Sequence, residues 1–364
     1  MARDRADLFS ACGGLARLAA AAQRPFSACS LERMFYSGGM VPDQLFELRR
    51  RTFDTPQFRG IEFIEVEAKS IVNPVPGNYL PFNWTINPYR GCSHACTYCF
   101  ARVTHTYMDM NAGKDFESKI VVKVNAPDLL RAKLRSKSWK GEHIAMGTAT
   151  DPYQRAEGRY RLMPGIIQAL TDHHNPFSIL TKATLMMRDL DLLLEAAEVT
   201  DVSTAFSIPT LDEDAWRKSE PGTPHPLRRM EAVARLNAVG IPSGVMLAPV
   251  LPGITDDLEG MKRVVDAAVA AGATHVTPIL LHLRPVVREE YMGWLQEQFP
   301  ELVVDYEQLY RRSAYGPKEE RNKLSRTVGT MLDEAGFERK APPRRGPTSK
   351  RTEPNASNEQ LSLL

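Results

Sequence analysis

The sequence predicts an α/β fold: an open, partial (β/α)6 barrel of the TIM type, with an N-terminal extension and C-terminal helices. Three observations predict it. A strand-then-helix alternation repeats six times between residues 82 and 298, the pattern of a parallel sheet with crossover helices. A complete barrel takes eight such units in about 250 residues, so six leave it open. The polar motifs that could carry chemistry fall at the carboxyl ends of these strands, where parallel sheets bind ligands.

The elements follow in order. Residues 1–58 show little periodicity and read as a poorly ordered leader, with a short helix near residues 44–50. Residues 61–73, IEFIEVEAKSIVN, alternate and are β-branched, which predicts a strand or hairpin over the barrel's end. The barrel occupies residues 59–301. Its strands are predicted at 82–86, 142–148, 177–181, 201–208, 242–248 and 274–281. Helices are predicted at 125–134, 164–173, 189–198, 226–239, 255–271 and 287–298. Asn125 and Thr255 are the expected N-caps, and Gly240 and Gly272 the expected stops. Residues 302–338 form a C-terminal helical extension, with helices near 306–313 and 317–334. The tail 339–364 is Pro/Ser/Asn-rich with a basic block, and is expected to be disordered.

Composition sets the bounds. The 364 residues are 43% hydrophobic and 25% charged, which is ordinary for a globular chain. A net charge of +2 gives no global field for nucleic acid. No apolar run is long enough for a membrane span. Asp4, Asp7 and Arg17 interrupt the start as a signal peptide, which predicts a cytoplasmic protein with reduced thiols. Cys12 and Cys29 receive no role. No G-x-G-x-x-G, Walker loop or H-E-x-x-H occurs.

The chemistry concentrates in residues 85–102, TINPYRGCSHACTYCFAR. Cys92, Cys96 and Cys99 make a C-x3-C-x2-C pattern with no fourth cysteine nearby. A cubane iron–sulfur cluster needs four ligands, so one iron would stay open, and an open metal position usually means chemistry. A zinc site with His94 or His105 as fourth ligand is an alternative, as is a plain electron carrier. Zinc sites usually add a ligand pair from farther along the chain, and none is obvious. Arg90 and Arg102 flank the pattern and could tune an anionic cluster.

The cysteine spacing, Tyr98 before the third cysteine, and the βα repeats resemble the radical S-adenosylmethionine (radical SAM) enzymes. NPYRGCSHACTYCFAR, GTATDPYQ, ILTKA and AFSIP, in that order, look like the spore-photoproduct-lyase-like group, often labelled DNA repair photolyases. Residues 58–334 look like an actinobacterial branch of it. The resemblance implies a [4Fe–4S] cluster on Cys92, Cys96 and Cys99, and S-adenosylmethionine on its open iron. It implies Tyr98 against the adenine, Thr150 near the cofactor, Lys182 at its carboxylate or ribose, and Ser207 at the ribose. Reductive cleavage would give a 5′-deoxyadenosyl radical that abstracts hydrogen from a substrate. A nucleic-acid lesion is one substrate class; a peptide or small metabolite is the alternative. A non-catalytic zinc or Fe–S nucleic-acid-binding protein is the reading of another class. An external donor of flavodoxin or ferredoxin type, no membrane, and a monomer are expected.

One position departs from the group. Spore photoproduct lyases carry a hydrogen-returning cysteine where this chain has Thr148. Tyr153 or Tyr107 could serve instead. Asp151 and Glu157 could bind substrate or cofactor, or cap a turn and a helix. His282 and Arg284 could bind an anion, Arg155, Arg159 and Arg161 could line a basic cleft on a loop, and Glu220 could order the loop after the fourth strand.

Overall fold

The structure is a computed structural model that describes residues 49–77 and 80–338. All of them lie in the unit that begins at Leu48. The tail from Arg339 and the residues before Arg49, Cys12 and Cys29 included, fall outside the described residues.

The strands are β1 (Arg49–Thr52), β2 (Glu62–Val66), β3 (Val72–Pro74), β4 (Trp84–Ile86), β5 (Tyr89–Arg90), β6 (Lys119–Lys123), β7 (Ile144–Met146), β8 (Phe177–Thr181), β9 (Val202–Ser207), β10 (Ser243–Val250) and β11 (Val276–Leu280). Seven of them form one sheet in the order β11-β10-β9-β8-β7-β4-β3. The six strands β4, β7, β8, β9, β10 and β11 pair in parallel and in chain order. That is the expected open (β/α)6 arrangement. β3 closes its near edge antiparallel to β4.

Burial on both faces explains why these strands are near-continuous apolar runs. Ile144, Ala145 and Met146 of β7 are all buried, and β8 buries Phe177, Ile179 and Thr181. The covering helices turn apolar stripes inward: Leu162–Asp172 buries Leu162, Met163, Ile166, Ile167, Ala169 and Leu170. Asn237, near the end of the helix Pro226–Ala238, accepts from the Ser243 N–H at 3.0 Å and donates to the Ser243 carbonyl at 3.0 Å. These two bonds tie the helix end to the start of β10.

Several expectations are corrected. Residues 61–73 form neither one strand nor a hairpin. β2 joins a second sheet, order β1-β2-β6-β5, while β3 belongs to the barrel. The partner of β2 is β6, whose run KIVVK lies beyond the cysteines and pairs with it in parallel. Regular structure is present upstream of residue 58, where β1 pairs with β2. Arg49 and Arg50 are therefore strand, not helix; residues 44–48 fall outside the described residues. Asp257, not Thr255, caps the next helix, accepting from the Gly260 N–H at 2.6 Å. The Thr255 hydroxyl accepts from the Leu251 N–H instead. Asn125 precedes its helix, but its side chain makes no cap; it exchanges two 2.9 Å bonds with the Ala68 backbone.

The most consequential correction concerns the last helices. The helix Lys318–Glu334 packs against β11 and against Leu258–Ala270. Its Leu324, Val328, Met331 and Leu332 join the main core. It takes the place of the sixth covering helix. The helix Pro285–Gln298, expected there, instead packs Tyr291 and Leu295 with Cys96 and Tyr98.

Close approach demands glycine at one strand end. Gly147, just past β7, has φ +89°, and a β-carbon there would lie 1.9 Å from the Leu180 carbonyl oxygen. Gly147→Ala is expected to destabilise the fold by at least about 2 kcal/mol in urea unfolding. Gly141→Ala, with φ +68° but open space around it, should cost only about 1 kcal/mol. Equal costs at the two positions would contradict the packing argument.

Candidate active site at the cysteine loop

The loop hangs between β5 and β6, which pair antiparallel and hold its two ends together. It turns at Gly91, φ +79°, where a β-carbon would come within 2.9 Å of the Phe116 carbonyl oxygen and the His105 ring. Cys92 and Cys96 are buried and Cys99 half-buried, all as free thiols. Burial pushes all three thiols up. A bound cation is what would hold them as thiolates.

Neighbouring elements satisfy the loop backbone. The Thr150 hydroxyl and the Gln154 amide donate to the Gly91 carbonyl at 2.7 and 2.8 Å. The Ser93 N–H donates to Gln154 Oε1 at 3.0 Å. From the segment after β9, Ser219 O at the end of the helix Glu213–Ser219 accepts from the Thr97 N–H, and the Gly222 N–H donates to His94 O, both at 3.0 Å. Arg102, only 2% exposed, donates to the carbonyls of Cys96, Ala112 and Gly113 at 2.9, 3.1 and 3.0 Å and pairs with Glu117. It folds the loop rather than standing at its edge.

The donor set fits a cubane better than a zinc ion. Neither histidine is placed as a fourth ligand. His94 Nδ1 faces Asp151 Oδ2 at 3.3 Å. His105 Nε2 donates to the Lys119 carbonyl at 2.9 Å, with its ring against Phe116. Among the described residues, no three His, Cys, Asp or Glu side chains gather as around a single ion; a cubane offers each thiolate its own iron. The Thr97 hydroxyl, inside the loop, is buried without a partner.

Beside the loop, three of the four singled-out cofactor residues come together. Lys182, just past β8, places Nζ 5.5 Å from the centre of the Tyr98 ring and 2.5 Å from Ser207 Oγ at the end of β9. Glu220 joins them. It accepts from the Tyr98 hydroxyl and lies 2.8 Å from Lys182 Nζ and 2.6 Å from Arg229 Nη2. Burial opposes its charge, but Arg229 and Lys182, with hydrogen bonds from Lys182 and Tyr98, hold its carboxyl down at about 2. Burial and the same carboxylate raise the Tyr98 phenol, which stays a donor. Thr150 stands apart, its hydroxyl given to Gly91.

Other singled-out residues have structural work. Asp151 accepts from the Thr181 hydroxyl and the Lys182 N–H, both at 2.7 Å. Glu157 is buried, bonded to the Tyr89 hydroxyl at 2.6 Å and paired with Arg188 at 2.6 Å. The Tyr153 hydroxyl donates to Asp189, and Tyr107 is exposed. Thr148 meets Asn87 Nδ2 at 3.5 Å. The His282 ring packs on Tyr315. Arg155 and Arg159 lie on a helix, Arg155–Tyr160, not a loop, and Arg159 covers the Phe53 ring. Arg229 was missed. Its signal is its place on the buried face of Pro226–Ala238, four residues before Val233 and seven before Leu236.

A pH effect follows. The Glu220 carboxyl titrates near 4.5 when unperturbed and at about 2 in the fold. A depressed folded value stabilises above the unfolded one, and that contribution is lost as pH falls from about 4.5 towards 2. Urea unfolding between pH 6 and pH 3 should show the wild type losing more stability than Glu220→Gln. Parallel losses would contradict the assignment.

Comparison with known proteins agrees with this geometry. The Radical SAM superfamily model matches residues 86–265. An "Uncharacterized protein" of Mycobacterium tuberculosis is 50% identical over 297 residues, covering 80% of this chain and 87% of its own. One of Methanocaldococcus jannaschii is 32% identical over 198 residues, covering 54% and 70%. A single-site mutant of spore photoproduct lyase superposes with a TM-score of 0.56 at 16% identity, covering 75% of this chain and 79% of that one. A double mutant of that lyase, with bound AdoMet and dinucleoside spore photoproduct, gives 0.56 at 15% identity, covering 79% and 85%. These two likenesses show the shared fold. Among the described residues no helix is long and apolar enough to cross a membrane. The chain belongs to the radical SAM superfamily and is an enzyme of that class.

Proposed function

We propose that Cys92, Cys96 and Cys99 hold a [4Fe–4S] cluster and that S-adenosylmethionine binds between it and the strand ends carrying Lys182 and Ser207. The observation that carries the reading is that three free thiols, two of them buried, share one loop with Tyr98, and that Lys182 and Ser207 meet beside that tyrosine from two other places in the chain. Bound there, the cluster supplies the electron that cleaves S-adenosylmethionine to the 5′-deoxyadenosyl radical.

The chain's own residues do the rest. Tyr98 offers a ring to the adenine, and its hydroxyl is tied to Glu220, which fixes the ring plane. Lys182 offers an ammonium to the carboxylate or ribose, and Ser207 borders the ribose. Thr150 acts one step back by holding Gly91. The buried loop keeps water from the radical. The reduced thiols suit a cytoplasmic protein served by an external donor of flavodoxin or ferredoxin type.

The radical would take hydrogen from a substrate, and a nucleic-acid lesion is the first class to assay. A fold neighbour is complexed with a dinucleoside spore photoproduct, and exposed Arg155 and Arg161 stand beyond β7. Thr148 holds no thiol, so hydrogen return differs from that of an enzyme with cysteine there. A peptide or small metabolite is the alternative substrate. A non-catalytic zinc module is not retained, because the family is one of enzymes.

Purified without oxygen, the protein should be brown and hold about four irons. Reduction with dithionite should release 5′-deoxyadenosine from S-adenosylmethionine. Cys96→Ala should lower that release at least about a hundredfold. A colourless, zinc-loaded protein without cleavage would overturn the reading. Stimulation by an irradiated oligonucleotide, but not by its undamaged twin, would support the lesion class.

A further inference from the structure

We propose that Glu220 is the positioning residue for Lys182, and that with Arg229 it aims the lysine at the carboxylate of S-adenosylmethionine. This rests on the cofactor reading above. Lys182 reaches the site on a long, flexible side chain, and nothing in β8 fixes its tip. Two acceptors do: Glu220 Oε1 at 2.8 Å and Ser207 Oγ at 2.5 Å.

Both acceptors are themselves held. The Ser207 hydroxyl donates to the Ala248 carbonyl of β10 at 2.7 Å. The other Glu220 oxygen is 2.6 Å from Arg229 Nη2. Arg229 cannot swing, because it also donates to the carbonyls of Ser207 and Pro224 at 2.8 and 2.9 Å and to the Thr223 hydroxyl. A fixed chain therefore runs from Arg229 through Glu220 to Lys182 Nζ.

One carboxylate meets two cations, which hold it from both sides. The side chains of Glu220 and Arg229 are fully buried, while that of Lys182 is 15% exposed. Of the three, Lys182 is the one open to a ligand. An ammonium has three N–H groups, and Glu220 and Ser207 take two. The third is left for an anion. A carboxylate is the anionic group that S-adenosylmethionine carries.

The test compares S-adenosylmethionine with its decarboxylated analogue, by anaerobic calorimetric titration of reconstituted protein. Iron content and thermal melting are checked for each variant. The wild type should prefer S-adenosylmethionine. Glu220→Gln keeps the shape but puts an NH2 group where Lys182 or Arg229 needs an acceptor, which frees the lysine tip, and should lose at least about tenfold in affinity for S-adenosylmethionine. It should bind the analogue as the wild type does, so the preference disappears. Lys182→Met should behave alike, and the double variant should lose no more than Lys182→Met alone.

Equal losses for both ligands would mean a merely structural role and overturn the proposal. So would wild-type affinity and preference in Glu220→Gln. Should Glu220→Gln fail to hold iron, Glu220→Asp stands in, with its charge one methylene short; a retained preference there overturns the proposal. A wild type that binds no S-adenosylmethionine removes the cofactor reading itself, and the proposal with it. Binding by the wild type together with an indifferent Glu220→Gln removes only the positioning role.

Discussion

A stretch that must present three thiols to one centre cannot spend its backbone on one long helix or strand; residues 91–99 form neither. That constraint governs the architecture around it. Buried N–H and C=O groups need partners; some are internal, such as Cys92 O for the Ala95 N–H, and others come from beyond the cysteine stretch. The segment after β7 supplies Thr150 and Gln154, the segment after β9 supplies Ser219 and Gly222, and the stretch before β6 supplies Phe116. The loop's shape thus depends on strands that the chain makes later. The antiparallel pair β5–β6 closes the loop's ends, so a sheet separate from the barrel brings them together.

The ion network obeys a related logic. A lone buried carboxylate would be costly to desolvate. Glu220 is tolerated because two cations and a phenol converge on it. The four groups come from the cysteine loop, the end of β8, the loop after β9 and the helix Pro226–Ala238. Losing any one of them leaves a buried charge or donor without its partner. The cluster therefore ties loop to barrel with fixed direction as well as distance, which apolar contact alone does not give.

Much of this was legible in the chain. Local periodicity and strand-end polarity marked the six parallel strands, and the C-x3-C-x2-C spacing marked the loop. What escaped depends on long-range pairing. KIVVK is a plain strand, yet its partner lies on the far side of the cysteines. Residues 285–298 read as the sixth covering helix by order alone, but spacing along a chain does not say which face a helix will cover. Glu220 read as a loop residue because its partners, Lys182 and Arg229, lie on other elements. Thr150 matched a cofactor position, while its hydroxyl serves the loop carbonyl. A motif identifies a place more surely than a bond.

The displaced last helix carries a consequence for how the molecule is made. β11 ends at Leu280, but the helix that covers it begins only at Lys318. The intervening segment crosses to the cysteine side and returns. During synthesis the barrel's final edge therefore stays bare until the chain has emerged nearly to Glu334. By then every element that braces the thiols has already been made. The scaffold can be complete before a cluster is delivered, and the bare edge is the part most in need of protection until the covering helix docks.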